Sequence, residues 1–142
     1  MPVNAWFLLS GISGWTAVIL LLAGAVLPYV LRPTRLAAAL GFVSEPRKPY
    51  LAKFSPHTWI GYSGTALAYF HGFAAMHIKG TGKGGPALSA AMIAESLLIL
   101  QVLLGLILLQ PALASRKNVR QIHFWIMIAI AVTTSGHIAM IG

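Results

Sequence analysis

The residues of this chain that could do chemistry are its histidines. Of five, four lie within long apolar runs, and they form two pairs with one spacing: His57 and His71 are 14 positions apart, and so are His123 and His137. In an α-helix fourteen residues at about 100° each return to within roughly 40° of the starting direction and rise about 21 Å. Each pair therefore lies on one face of its helix, near opposite ends. An imidazole in an apolar medium is unfavourable unless it hydrogen-bonds or ligates a metal. Neutral imidazole is a good ligand for haem iron, and two of them saturate it, which favours electron transfer over oxygen binding. A hydrogen bond between helices explains any one such histidine as readily, but accounts poorly for a spacing that is duplicated. Zinc would want a tetrahedral ligand set, and neither level has a cysteine or aspartate nearby. His77 lies six positions after His71, about 120° around the helix. It reads as an interfacial residue, alternatively as part of a quinone or partner site.

The elements that must carry these residues are apolar and long. Hydrophobic residues make up 58% of the 142 and charged residues 8%, against about a quarter charged in a soluble domain. Too little charge is present to cover a water-facing surface. Four apolar runs, at about 5–31, 56–77, 87–109 and 119–141, approach the roughly 20 residues a helix needs to cross hydrocarbon. The expected fold is all-α, an integral membrane four-helix bundle forming a single transmembrane domain over residues 1–142. Arg32-Pro33 closes the first run, Ser55-Pro56 opens the second, residues 80–86 form a glycine-rich turn, and Ser115–Asn118 separates the third from the fourth. The first run is too long for a signal-peptide core, and no Lys or Arg precedes it.

The net charge of +8 reads as topology, not as a nucleic-acid footprint, because the basic residues sit between the apolar runs. Arg32, Arg35, Arg47, Lys48 and Lys53 follow the first run, and Arg116, Lys117 and Arg120 follow the third; only Lys79 and Lys83 follow the second. The positive-inside rule then sets both termini outside and the two basic loops in the cytoplasm. Helices two and four run parallel, so His57 faces His123 at the inner level and His71 faces His137 at the outer one. Trp6, Tyr29, Tyr50, Trp59 and Trp125 fit interfacial belts. The absence of cysteine excludes disulfides, covalently attached c-type haem and cysteine-ligated iron–sulfur clusters.

At its histidines the chain resembles the di-haem b-type cytochromes. The nearest parallel is the four-helix N-terminal part of cytochrome b from quinol-oxidising complexes, where a His-x13-His pair on the second helix matches one on the fourth. The transmembrane ferric-reductase and NADPH-oxidase cytochromes are similar in a more distant way. The likeness runs over nearly all of the hydrophobic chain, and its specific part is the histidine spacing. It implies two haem b groups, with His57 and His123 on the inner iron and His71 and His137 on the outer. It also implies glycines where the macrocycles press close, for which the first helix offers Gly11, Gly14 and Gly24 and the third Gly105 with Ala91. Ordinary small-residue packing explains these equally well. The Pro-Glu-Trp-Tyr motif of the cytochrome b quinol site is absent, and so is a dinucleotide fingerprint.

Glu95 is the one acid within an apolar run, about as deep as His71 and His137. It reads as a proton acceptor for quinol oxidation or as a hydrogen bond to a neighbouring helix. Gln101, Ser63, Thr65, Thr133, Thr134 and Ser135 read as bonds between helices. Haem propionates could meet Lys53, Arg116, Lys117 or Arg120 on the inner side, and Lys79 or Lys83 on the outer. Arg120 is the strongest of these, one turn before His123. Tyr62, Phe70, Phe73, Phe124 and Trp125 line the macrocycles or face lipid. The function expected is transmembrane electron transfer, linked to a quinone or a redox protein partner. The chain would be a subunit of an oxidoreductase complex or a homo-oligomer, in a bacterial inner or thylakoid-type membrane. The alternatives are a quinone- or metal-reducing enzyme, and a haem-free structural subunit or small transporter.

Overall fold

A computed structural model describes residues 3–31, 56–79, 85–110 and 112–141. They are almost entirely helical. Helix α1 spans Val3–Leu31, α2 Pro56–Lys79, α3 Pro86–Leu108 and α4 Arg116–Ile141. Proline opens α2 and α3 at the first turn, where its missing N–H would have had no partner in any case. Gly85 precedes α3 as an extended N-cap. Pro111 lies three residues past Leu108 in the sequence and cannot continue that helix.

Two expectations change. The separator before α4 is shorter than Ser115–Asn118, because Arg116, Lys117 and Asn118 already form its first turn. The reason is local: the Arg116 guanidinium donates to the carbonyl oxygens of Leu108, at 2.8 Å, and Gln110. It thereby closes the carbonyl end of α3. Secondly, the four helices are not equally apolar. Three are long and apolar enough to cross a membrane, over Asn4–Val26, Pro86–Leu108 and Arg116–Ile141. Helix α2 has 24 residues, about 36 Å at 1.5 Å each, but carries His57, Thr58, Ser63, Thr65, His71 and His77.

Packing is organised in pairs. Helix α1 lies closely on α2 and α3 on α4, while α2 meets α3 more lightly. The α1–α2 pair buries small residues: Ser10, Ser13, Ala17 and Gly24 on α1, and Gly64 and Ala74 on α2. Such residues let two backbones approach. At Gly64 an added Cβ would lie 3.0 Å from the Leu21 side chain. The buried residues of the other pair are Ala94, Leu98, Leu104 and Ile130, and among the described residues no large side chain is fully buried. The large apolar side chains point outward instead; Trp15 is 62% exposed and Val132 67%. A surface so continuously apolar marks contact with something other than water.

Candidate functional site

Helices α2 and α4 hold their histidines level with each other. The ring centres of His57 and His123 are 6.4 Å apart with planes at 70°. Those of His71 and His137 are 6.3 Å apart at 77°. A direct N–H···N bond between imidazoles would bring ring centres to about 5 Å. A metal held by both behaves differently: two bonds of about 2.0–2.1 Å, plus about 1.1 Å from each ring centre to its nitrogen, give about 6.3 Å. Both pairs therefore stand at the separation of two axial ligands. Among the described residues no group of three or more histidine or acidic side chains converges. An ion held here would need its remaining positions filled by a ligand such as a macrocycle.

Behind the rings lies a second repeat. His57 Nδ1–H donates to the Gly24 carbonyl at 2.9 Å, His71 Nδ1–H to the Ser10 carbonyl at 2.8 Å, and His137 Nδ1–H to the Ala87 carbonyl at 2.8 Å. The His71 N–H is shared with the Ser10 hydroxyl oxygen at 3.2 Å. Each bond fixes the tautomer and leaves the Nε2 lone pair directed away from its acceptor, as metal-ligating histidines require. Ser10 and Gly24 are 14 positions apart on α1, and Ala87 and Gln101 are 14 apart on α3. All four helices thus carry the same step. In the antiparallel pairs it runs in opposite directions, so one register serves both levels.

The fourth ring departs from this pattern. The Gln101 amide Nε2–H donates to His123 Nε2 at 3.2 Å. His123 Nδ1 and Gln101 Oε1 are both buried without a hydrogen-bond partner.

The glycines divide. An added Cβ at Gly14 would stand 2.7 Å from His71 Nδ1, so only glycine fits there; at Gly105 the nearest atom is His123 Cε1 at 3.7 Å, an ordinary contact. Gly24 is buried; a Cβ there would stand 3.3 Å from the Ile60 side chain, and its carbonyl accepts from His57. Gly11 is exposed, with nothing within 4 Å of its would-be Cβ. The structure does not bring it to a histidine. Gly72 makes room for Glu95, whose carboxylate an added Cβ would strike. Glu95 lies within electrostatic reach of His71 and His137, and its backbone carbonyl accepts the Tyr69 hydroxyl at 2.8 Å.

Other residues fall outside this arrangement. Arg116 is engaged by the end of α3, whereas Lys117 and Arg120 are exposed. Arg32, Arg35, Arg47, Lys48, Tyr50, Lys53 and Lys83, and the side chains of Tyr29 and Lys79, lie outside the described residues. Of the polar residues expected to bond between helices, Gln101 does so. Thr133 instead donates to Ala129 and Ile130 of its own helix, a local alternative open to any threonine. Phe70, Phe73, Phe124 and Trp125 are exposed. His77 donates to the Phe73 carbonyl one turn back and stacks on Trp6 at 4.8 Å, away from both pairs.

The carbonyls of Ser10, Gly24 and Ala87 are features that sequence reasoning missed, as is the clearance at Gly72; Gly14 was named, but not as the glycine that makes room for His71. The one signal pointing to them is the same step of fourteen on α1 and α3. Comparison of the chain with protein-family models, curated proteins and solved structures finds no match.

Proposed function

We propose that this chain is an integral membrane four-helix bundle that binds two b-type haems and passes electrons between the two faces of the bilayer. The observation that carries the reading is the pair of imidazole couples, each at the spacing of two axial ligands, with three of four Nδ1 groups tied to carbonyls. Haem bound at each level supplies a one-electron redox centre. The chain's own residues do the rest. His57 would offer Nε2 at the inner level together with His123, whose Nε2 now accepts from Gln101, and His71 and His137 would offer theirs at the outer. Ser10, Gly24 and Ala87 hold the rings in place, and Gly14 and Gly105 leave room beside them. Two histidines held to each iron would favour electron transfer over oxygen chemistry. The two levels are about 21 Å apart along the helices.

The outward apolar side chains face lipid, and α2 lies among its more apolar neighbours. The basic residues between the helices keep both termini out of the cytoplasm, and Arg120 at the inner surface suits a propionate. Glu95, beside the outer pair, would take one of the two protons a quinol oxidised there releases. This makes the chain an electron-transfer subunit working with a quinone or redox partner, in a bacterial inner or thylakoid-type membrane.

A pyridine haemochrome assay on protein purified with native lipids tests the reading. Two non-covalent b haems per chain, with low-spin spectra, are expected. Protein with no Soret band would overturn it.

A further inference from the structure

We infer that Gln101 is the positioning residue of the inner site: its carboxamide lies on His123 Nε2 before iron arrives and shifts to accept the Nδ1–H once Nε2 ligates the metal. The inference rests on the haem reading above. Its ground is a local imbalance of hydrogen bonds. Three ligand candidates send Nδ1–H to a main-chain carbonyl. His123 has none, and its Nδ1 is buried without a partner. The register that takes Ala87 to His137 takes Gln101 to His123, so Gln101 is the α3 residue level with the ring that lacks a carbonyl acceptor. Its Oε1 is the other buried polar atom left without a partner. Its Nε2 covers the nitrogen that a metal would take, at 3.2 Å.

One exchange resolves all of this. The bonding directions of the two ring nitrogens diverge on either side of Cε1, so the exchange combines a turn of the His123 ring about its Cβ–Cγ bond with a change of Gln101 rotamer, and neither moves the backbone. When the carboxamide moves from Nε2 to Nδ1, the His123 N–H gains an acceptor and Gln101 Oε1 gains a donor. No buried polar atom of the two is then orphaned, which removes the penalty such atoms carry. The outer level needs no such movement, because its Nδ1 partners are already in place. The inner haem therefore has a ligand that must be released before it can bind. Its imidazole basicity is set by a side chain and not by the main chain, so substitution can tune it.

The experiment is a redox titration of the purified protein followed by EPR, with wild type, Gln101→Leu and Gln101→Glu. His123→Ala identifies the inner centre as the one it abolishes. An acceptor on Nδ1 makes imidazole a stronger donor and favours ferric iron. Gln101→Leu should raise the potential of the inner centre alone. Gln101→Glu, which restores a stronger acceptor, should lower it. Haem titration into stripped protein should show inner-site affinity reduced about tenfold or more in Gln101→Leu, with the outer site unchanged. A residue that merely packed would shift the potential in the same direction in both variants, or shift both centres, and either result overturns the inference. Inner potentials equal to wild type in both variants overturn it too. Wild-type protein that takes up no haem would overturn the underlying reading along with it.

Discussion

The two histidine levels share a spacing and a ring geometry, and differ in what stands behind the rings. At the outer level both imidazoles are tied to carbonyls, one of them also to the Ser10 hydroxyl. A glycine presses against the ring of His71, and Glu95 lies nearby. At the inner level one imidazole has a carbonyl, the other has Gln101 on the wrong nitrogen for ligation, and the neighbouring Gly105 is less crowded. The ligand pairs come from a repeat on α2 and α4, whereas the supports come from α1 and α3. One repeat sets two equal pairs of rings while the flanking helices give them unequal supports, which in the proposed haem reading would make the two sites unequal in electronic character and ease of loading.

The largest expected effect comes from removing ligands. Replacing either His71 or His137 by Ala should abolish the same low-spin EPR centre, and replacing His57 or His123 should abolish the other. If His57→Ala and His137→Ala disturbed one centre, the level-by-level comparison would collapse. Next in size is steric. Gly14→Ala puts a methyl where His71 Nδ1 already lies within 2.7 Å, and overpacking of this kind typically costs about 1–3 kcal/mol. The outer centre should weaken or turn high-spin, whereas Gly105→Ala, with 3.7 Å of clearance, should leave the inner centre intact. Equal spectra for the two glycine variants would remove the asymmetry argued here.

A smaller effect is kinetic. Glu95→Gln should slow quinol-linked reduction and flatten its pH dependence while both haems stay bound; stopped-flow reduction by a quinol analogue over a range of pH measures this. Unchanged rates would reduce Glu95 to a packing role. The smallest effect separates the levels by one hydroxyl. Ser10→Ala removes the second acceptor of His71 but keeps the carbonyl, a loss on the order of 0.5–1.5 kcal/mol, and should shift the outer potential slightly. His77→Ala should leave both centres as they are.

Much of this arrangement can be read from residue spacing. Histidines fourteen apart declare a helix face, and long apolar runs declare helices. Parallel α2 and α4 follow from the number of crossings assumed for the chain. The supports are less legible because a main-chain carbonyl has no side-chain signature. Ser10 and Ala87 act through an atom that every residue possesses. Which glycine meets a histidine depends on how α1 is rotated about its axis, and Gly11 and Gly14 lie only about 60° apart on the helix. Composition cannot choose between them; packing against α2 selects Gly14. The start of α4 was obscured because Arg116 looks like a loop cation until its bonds to the end of α3 are seen.

The pairing of the helices has a consequence for how the protein is put together. Helices α1 and α2 form one tight hairpin and α3 and α4 another, with only light contact between them. Each ligand couple takes one histidine from each hairpin. In the proposed haem reading, each bound cofactor would rivet together two halves that each have their own seam. On that reading biogenesis would join two finished hairpins, with cofactor supply as the step that commits the halves to each other.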